Sequence, residues 1–135
     1  SCRYTIRTHT LVCRSNDGRQ TVTVGPQGVS SGVTQECVNN PSCANRKNVG
    51  PVPPGTYDMV ESERHEGWWW LKEDMFTRQL CKIGLERCGF FLHLGTTSLG
   101  CITVQRGDEE ARRQFESLSQ MLKRDAPRNR MKVEP

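Results

Sequence analysis

From Arg3 to Arg14 apolar and polar side chains alternate, the period of a half-buried β-strand. Asn16-Asp17-Gly18 then reads as a turn and residues 20–24 as a second strand, so the chain opens as a hairpin. His9 falls in its first strand with no partner nearby in sequence, and reads as a structural histidine. Residues 25–56 are rich in Gly, Pro, Ser and Asn and carry no helical period, which predicts a long ordered loop. Its end, Gly50-Pro-Val-Pro-Pro-Gly55, fixes several φ angles and closes on a residue able to take φ > 0. It should deliver residues 56–60 into a strand in a defined orientation. Trp68, Trp69 and Trp70 follow in a row and cannot share one face of a strand, so at least one must point away from the others. Glu61, Glu63, Glu66, Glu73 and Asp74 read as a solvated face. Phe90-Phe91-Leu92 and Ile102 to Val104 are two further buried strands. From Asp108 the pattern becomes helical: Asp108 caps, Glu109 and Glu110 sit at the positive end of the dipole, and Ala111, Phe115, Leu118 and Leu122 recur on one face with Met121 alongside. Pro127 ends that helix. The pattern predicts a mainly β fold with a C-terminal helix, a single domain over 1–127, and a flexible tail over 128–135.

Between the two buried strands His93 precedes Cys101 by eight positions, with small and hydroxylated residues between them. A thiol is mostly protonated at neutral pH, and an imidazole held close to it can take its proton. Gly100 permits a sharp turn, and the backbone N–H groups of Gly100 and Cys101 can receive a developing oxyanion. The run His93-Leu-Gly95-Thr-Thr-Ser98-Leu-Gly100-Cys101-Ile102 resembles the H-x-G…S-x-G-C-[IV] signature of L,D-transpeptidases, cysteine enzymes that act on peptidoglycan stems. Upstream, Gly32…Asn39-Asn-Pro41 and Gly50-Pro-Val-Pro-Pro-Gly55-Thr-Tyr57 are similar to the branch that includes type VI secretion L,D-transpeptidase effectors. The resemblance covers roughly residues 25 to 106. It implies a small L,D-transpeptidase-like β-sandwich or barrel, with the Gly-Pro-x-Pro element packed beneath the catalytic site. Many housekeeping members carry an arginine soon after the cysteine. Here Ile102 is followed by Thr103, so substrate-carboxylate recognition is not assigned at that position.

Hydrophobic residues make up only 34% of the 135 residues and the mean hydropathy is -0.67, so apolar burial needs help. Seven cysteines can supply it. If Cys101 is kept as the nucleophile, the other six fall into three sequence-close pairs, Cys2–Cys13, Cys37–Cys43 and Cys81–Cys88, among fifteen connectivities. Each short-loop bridge contributes on the order of 2–4 kcal/mol. Disulfides imply an oxidising compartment, the periplasm or the exterior. The spacings lack the paired C-x2-C knuckles of structural zinc, and neither a metal nor a cofactor is expected. Ser1-Cys-Arg-Tyr4 shows no signal-peptide pattern, so the expectation is a mature form or export without a cleavable signal. No stretch approaches the ~20 apolar residues of a membrane span. The net charge of +4 is spread along the chain, which favours an anionic wall surface slightly and gives no sign of nucleic-acid binding.

All three histidines, His9, His65 and His93, precede Cys101, so a papain-like order with histidine after cysteine is excluded. The resemblance implies attack of Cys101 on the bond between diaminopimelate and D-Ala of a tetrapeptide stem, with His93 as base and then acid. Ser98 and the Gly95 region are candidates to orient the imidazole, and Trp69 and Tyr57 are candidate substrate contacts, with the pair Trp68 and Trp70 as another aromatic wall. Water as acceptor gives an L,D-carboxypeptidase; an amine gives transpeptidation or D-amino-acid exchange. The expected setting is a secreted antibacterial effector acting in a target periplasm, with an immunity protein and a secretion machinery as partners. A housekeeping wall-remodelling enzyme and a non-enzymatic, disulfide-stapled binding domain are the alternatives.

Overall fold

The computed structural model describes residues 1–96 and 100–135. Among these, nine strands form one sheet: β1 (Cys2–Thr5), β2 (Thr10–Arg14), β3 (Thr21–Val24), β4 (Val29–Ser31), β5 (Gly55–Glu61), β6 (Trp69–Lys72), β7 (Phe90–Gly95), β8 (Ile102–Gln105) and β9 (Arg130–Glu134). The order across the sheet is β3-β2-β1-β9-β5-β6-β7-β8-β4, and it curls into a nearly closed barrel. Two helices complete the fold, α1 (Met75–Lys82) and α2 (Glu109–Asp125). The mainly β fold with a C-terminal helix and three cysteine pairs at disulfide distance is therefore as expected.

The core lies inside the barrel, where the inward residues of the strands meet α2. Ala111, Phe115, Leu118, Met121 and Leu122 are the buried residues of that helix. Asp108 caps it by accepting from the Ala111 N–H at 3.0 Å. α2 packs against β3 and β8, near the two ends of the sheet, and so covers the seam where the barrel does not close. Trp69 reaches into the same layer and donates its indole N–H to Ser119 at 3.3 Å.

The structure departs from the sequence pattern at four places. The first predicted strand is two, β1 and β2, reversed by a turn at 6–9 in which His9 has φ 40°. The inward positions are Cys2, Tyr4 and Ile6 before the turn and Leu11 and Cys13 after it, and this change of phase was its signature. The loop over 25–56 contains a short strand, β4, which adds to β8 at the sheet edge. Between Glu61 and Cys88 lies α1, capped by Asp74 accepting from the Thr77 N–H at 2.8 Å, with none of its residues buried. The expected flexible tail is instead β9, an interior strand parallel to β1 and antiparallel to β5. Met131 and Val133 alternate inward there, and Asn129 ties the approach by donating to the Leu122 carbonyl at 2.8 Å. A five-residue period-two pattern becomes a strand when two neighbours offer unpaired backbone.

The cysteines pair as Cys2–Cys13, Cys37–Cys43 and Cys81–Cys88, with Cα separations of 4.0, 5.4 and 5.9 Å. Cys101 takes part in none of them.

Candidate active site

β7 and β8 run parallel, with His93 level with Thr103 and Leu92 level with Ile102. Parallel neighbours ordinarily need a crossover of about a dozen residues, whereas only residues 96–101 connect these two. Cys101 stands immediately before Ile102, and the Phe91 backbone hydrogen-bonds to its thiol. Leu92, Ile102 and Val104 face the core, so alternation sends Phe91, His93 and Thr103 to the opposite face.

His93 is 5% exposed. Its Nδ1 lies 2.8 Å from the Leu94 carbonyl. A carbonyl only accepts, so Nδ1 carries the hydrogen and Nε2 is left with its lone pair. The orienting group is thus a backbone carbonyl next to Gly95. Gly95 contributes space: a Cβ there would lie 2.8 Å from His93 Cε1 and 2.9 Å from Nδ1. On its other side the ring stacks on Trp68, at 4.0 Å between centroids and 16° between planes. Trp68 stacks in turn on His65 at 4.3 Å. The β6–β7 ladder pairs Trp69 with Leu92, and one further rung sets Trp68 beside His93.

Cys101 is held from behind. Ser31, fully buried, donates its hydroxyl to the Cys101 carbonyl at 2.8 Å and accepts from the Val52 N–H at 2.8 Å. Asn39 brackets Ser31 by accepting from its N–H at 3.1 Å and donating to its carbonyl at 2.8 Å. The Gly32…Asn39 and Gly-Pro-x-Pro segments therefore meet beneath the cysteine at one serine, Asn39 on its backbone and Val52 on its hydroxyl. Arg87 completes the support. Its Nη1 donates to the carbonyls of Ala44 (2.6 Å) and Pro51 (2.8 Å), its Nη2 to that of Gly50 (3.2 Å), and its guanidinium lies 5.2 Å over the Phe90 ring. Gly100 has φ 94°, and a Cβ on it would stand 2.5 Å from Arg87 Nη2 and 3.0 Å from the Phe90 ring. Only glycine meets both demands.

Burial pushes the Cys101 thiol above its ordinary value, opposed by a backbone hydrogen bond from Phe91 and by the charge of Arg87. Burial likewise holds the His93 imidazole below its ordinary value, against the bond to Leu94, with His65 and Arg106 adding to the depression. Both shifts favour a neutral thiol beside a neutral imidazole, a pair suited to base-assisted attack.

Residues 27–133 match the Tlde1 domain family model. The chain belongs to the Tlde1 domain family. This is the type VI secretion L,D-transpeptidase effector family, and it ties the chain to peptidoglycan-related activity. No curated protein and no solved structure matches the chain. The Tlde1 domain match begins after β3, so the β1–β3 unit and its Cys2–Cys13 pair precede it, although β1 pairs with β9 inside it.

Within the Tlde1 domain, two expected substrate contacts are corrected. Trp69 is 1% exposed and belongs to the core, because the alternation that sends Trp68 outward sends Trp69 inward. Tyr57 is 6% exposed and donates its hydroxyl to the Pro53 carbonyl at 2.7 Å; burial pushes its phenol up. It holds the Gly-Pro-x-Pro element in place. Ser98 lies outside the described residues. Arg87 and Ser31 were not foreseen as site residues, and Trp68 was named only as half of the alternative wall with Trp70. Trp68 was legible from strand alternation once Trp69 was assigned inward, whereas nothing local in the sequence marks Arg87 or Ser31.

Proposed function

We propose that this chain is a cysteine acyl-transfer enzyme that cleaves the bond between the L-centre of diaminopimelate and D-Ala in tetrapeptide stems of peptidoglycan. What supports this reading is the parallel pairing of β7 with β8, which sets Cys101, one residue before β8, next to the strand that carries His93, with His93 Nδ1 tied to a carbonyl. Nε2 takes the thiol proton as Sγ attacks the scissile carbonyl carbon. The backbone N–H groups of Gly100 and Cys101 receive the oxyanion. Collapse breaks the C–N bond, Nε2–H passes its proton to the D-Ala amine, and a Cys101 thioester remains. Water or an amine then attacks the thioester, gives a proton to Nε2, and Sγ leaves to be reprotonated. Water yields the carboxypeptidase reaction, and an amine yields transpeptidation or D-amino-acid exchange. Gly95 makes room for the imidazole, and Ser98 is retained as a second orienting group.

The setting that fits the family is a secreted effector acting in the periplasm of a target cell, delivered by a secretion machinery and countered by an immunity protein. Incubation with purified muropeptides tests the chemistry: wild type should convert tetrapeptide to tripeptide stems, and Cys101→Ala should not. Identical profiles for the two proteins would refute the mechanism. The role is tested separately by expression. Toxicity confined to periplasmic targeting and abolished by Cys101→Ala fits an effector, and harmless periplasmic expression of an active enzyme fits wall remodelling.

A further inference from the structure

On the side of His93 away from Cys101, Trp68, Leu94 and Phe115 form the apolar part of a 350 Å³ cleft whose polar rim carries Arg106, Arg112 and Glu66. Arg106 follows β8 directly, and its backbone N–H donates to the Gly95 carbonyl at 3.1 Å, so it is anchored to the segment that frames the imidazole. Arg112 stands in the first turns of α2. The ion pairs of the described residues are Arg3–Glu134, Arg46–Glu36, Arg130–Asp58 and Lys132–Glu134, and neither cleft arginine is engaged in one. Two guanidiniums thus share a cleft with a single carboxylate that pairs with neither. Trp68 is at once a wall of this cleft and the ring stacked on His93.

The rungs of β7 and β8 set the order along the site: Cys101 just before Ile102, which is level with Leu92, then Thr103 level with His93, then Gln105 level with Gly95, then Arg106. In the reaction proposed above, the group that exchanges a proton with His93 is the amine leaving from, or attacking, the acyl carbon on Cys101. On a tetrapeptide stem that amine belongs to D-Ala, whose carboxylate sits one carbon away. A ligand with its amine at His93 and its carboxylate one carbon further from Cys101 presents that carboxylate toward Arg106 and Arg112. We infer that Arg106 and Arg112 form a carboxylate subsite for the terminal D-amino acid, as leaving group of the stem and as free acceptor in exchange. Guanidiniums suit this task because they pair bidentately with a carboxylate. The subsite would supply at a distance what no arginine directly after Cys101 supplies, and it would select stems that end in a free D-amino acid.

This inference rests on the acyl-transfer reading, and two measurements separate them. The first compares a disaccharide tetrapeptide ending in D-Ala with the same compound ending in D-alaninamide. Wild type should prefer the acid by about tenfold or more in kcat/KM. Arg106→Gln/Arg112→Gln should lose that preference, chiefly through KM, while retaining turnover of the amide. Arg113→Gln removes the same charge from the neighbouring position of α2, outside the cleft, and should keep the preference. Retained preference in the double variant, or equal loss on both substrates, overturns the subsite. The second needs no turnover: D-alanine is titrated into Cys101→Ala while the indole N–H resonance of Trp68 is followed. A saturable shift with D-alanine, absent with D-alaninamide and abolished by the double substitution, supports the subsite; no shift, or one shared by both ligands, overturns it. If wild type turns over neither stem, the proposed reaction fails while the titration still decides the subsite.

Discussion

The two flanks of the His93–Cys101 pair both carry arginine and both are concave, yet they differ in what the arginine is bonded to. On the Cys101 side Arg87 lines a 590 Å³ cleft and gives three hydrogen bonds to the carbonyls of Ala44, Gly50 and Pro51. On the His93 side Arg106 and Arg112 stand exposed with no ion pair among the described residues. A guanidinium that donates to three backbone carbonyls is a structural cation whose field acts on what lies near it, here Gly100 and Cys101. One without such bonds keeps its donors for a ligand. Identical residue types on the two flanks therefore differ in role: Arg87 builds the site, and Arg106 and Arg112 are the ones proposed to read its substrate.

The largest effect should come from the glycine between the flanks. Gly95→Ala forces a Cβ to within 2.8 Å of the His93 ring and displaces the imidazole, so stem cleavage should fall by about 10²- to 10⁴-fold with the β-sheet circular dichroism unchanged. A variant that cleaves at the wild-type rate would show that His93 does not act from this position.

Arg87 comes next, and two substitutions divide its roles. Arg87→Gln should lower unfolding stability by roughly 2–4 kcal/mol in urea titrations, since half-buried carbonyls lose charged donors. It should also move the pH midpoint of iodoacetamide labelling at Cys101 further above the ordinary thiol value of about 8.5, because the thiolate loses a nearby cation. Arg87→Lys keeps the charge without the planar fork, so it should lose stability yet hold the labelling midpoint close to wild type. Equal midpoints in all three proteins would confine Arg87 to structure.

Trp68→Ala should act more weakly, by about three- to tenfold in kcat/KM, through loss of the stacked ring over His93. The pH profile gives this prediction its sign. His93 must be neutral to take a proton, and burial favours the neutral form, so wild-type activity should persist below the ordinary imidazole value of about 6.5 and be lost as pH falls through the depressed value. Opening the ring to water in Trp68→Ala should shift that acid limb back toward 6.5, followed by the Cε1–H resonance of His93.

The smallest effect is expected far from both flanks. Met75 and Phe76 on α1 are each 73% exposed, and serine at either position should change stability by less than about 0.5 kcal/mol in thermal unfolding.

How far local pattern reached can be followed residue by residue. The cysteine pairs were legible because each lies within a short stretch of chain, where loop closure is easy. The α2 helix was legible from Asp108 and the buried stripe beginning at Ala111, signals confined to a few turns. β9 shows the opposite: residues 130–134 alternate like any strand, but a strand at the chain end is secure only when β1 and β5 are both there to pair with it, and those lie over a hundred and about seventy residues away. Trp69 fails as a substrate wall for a similar reason. Strand alternation divides three consecutive tryptophans, but which side is inside depends on α2 and Ser119.

From the chain alone came the two candidate reacting side chains, their eight-residue interval and the glycines that flank them, because these are constraints on neighbouring residues and on backbone geometry. The parallel pairing of β7 with β8, which sets Cys101 at the entry of β8 beside the strand of His93, came only with the folded sheet. So did the meeting of Ser31, Val52 and Arg87 beneath the cysteine, and the cleft of Arg106 and Arg112 beyond Trp68. Those contacts join segments far apart in sequence, and their partners are chosen by sheet order and core packing, which no local period encodes.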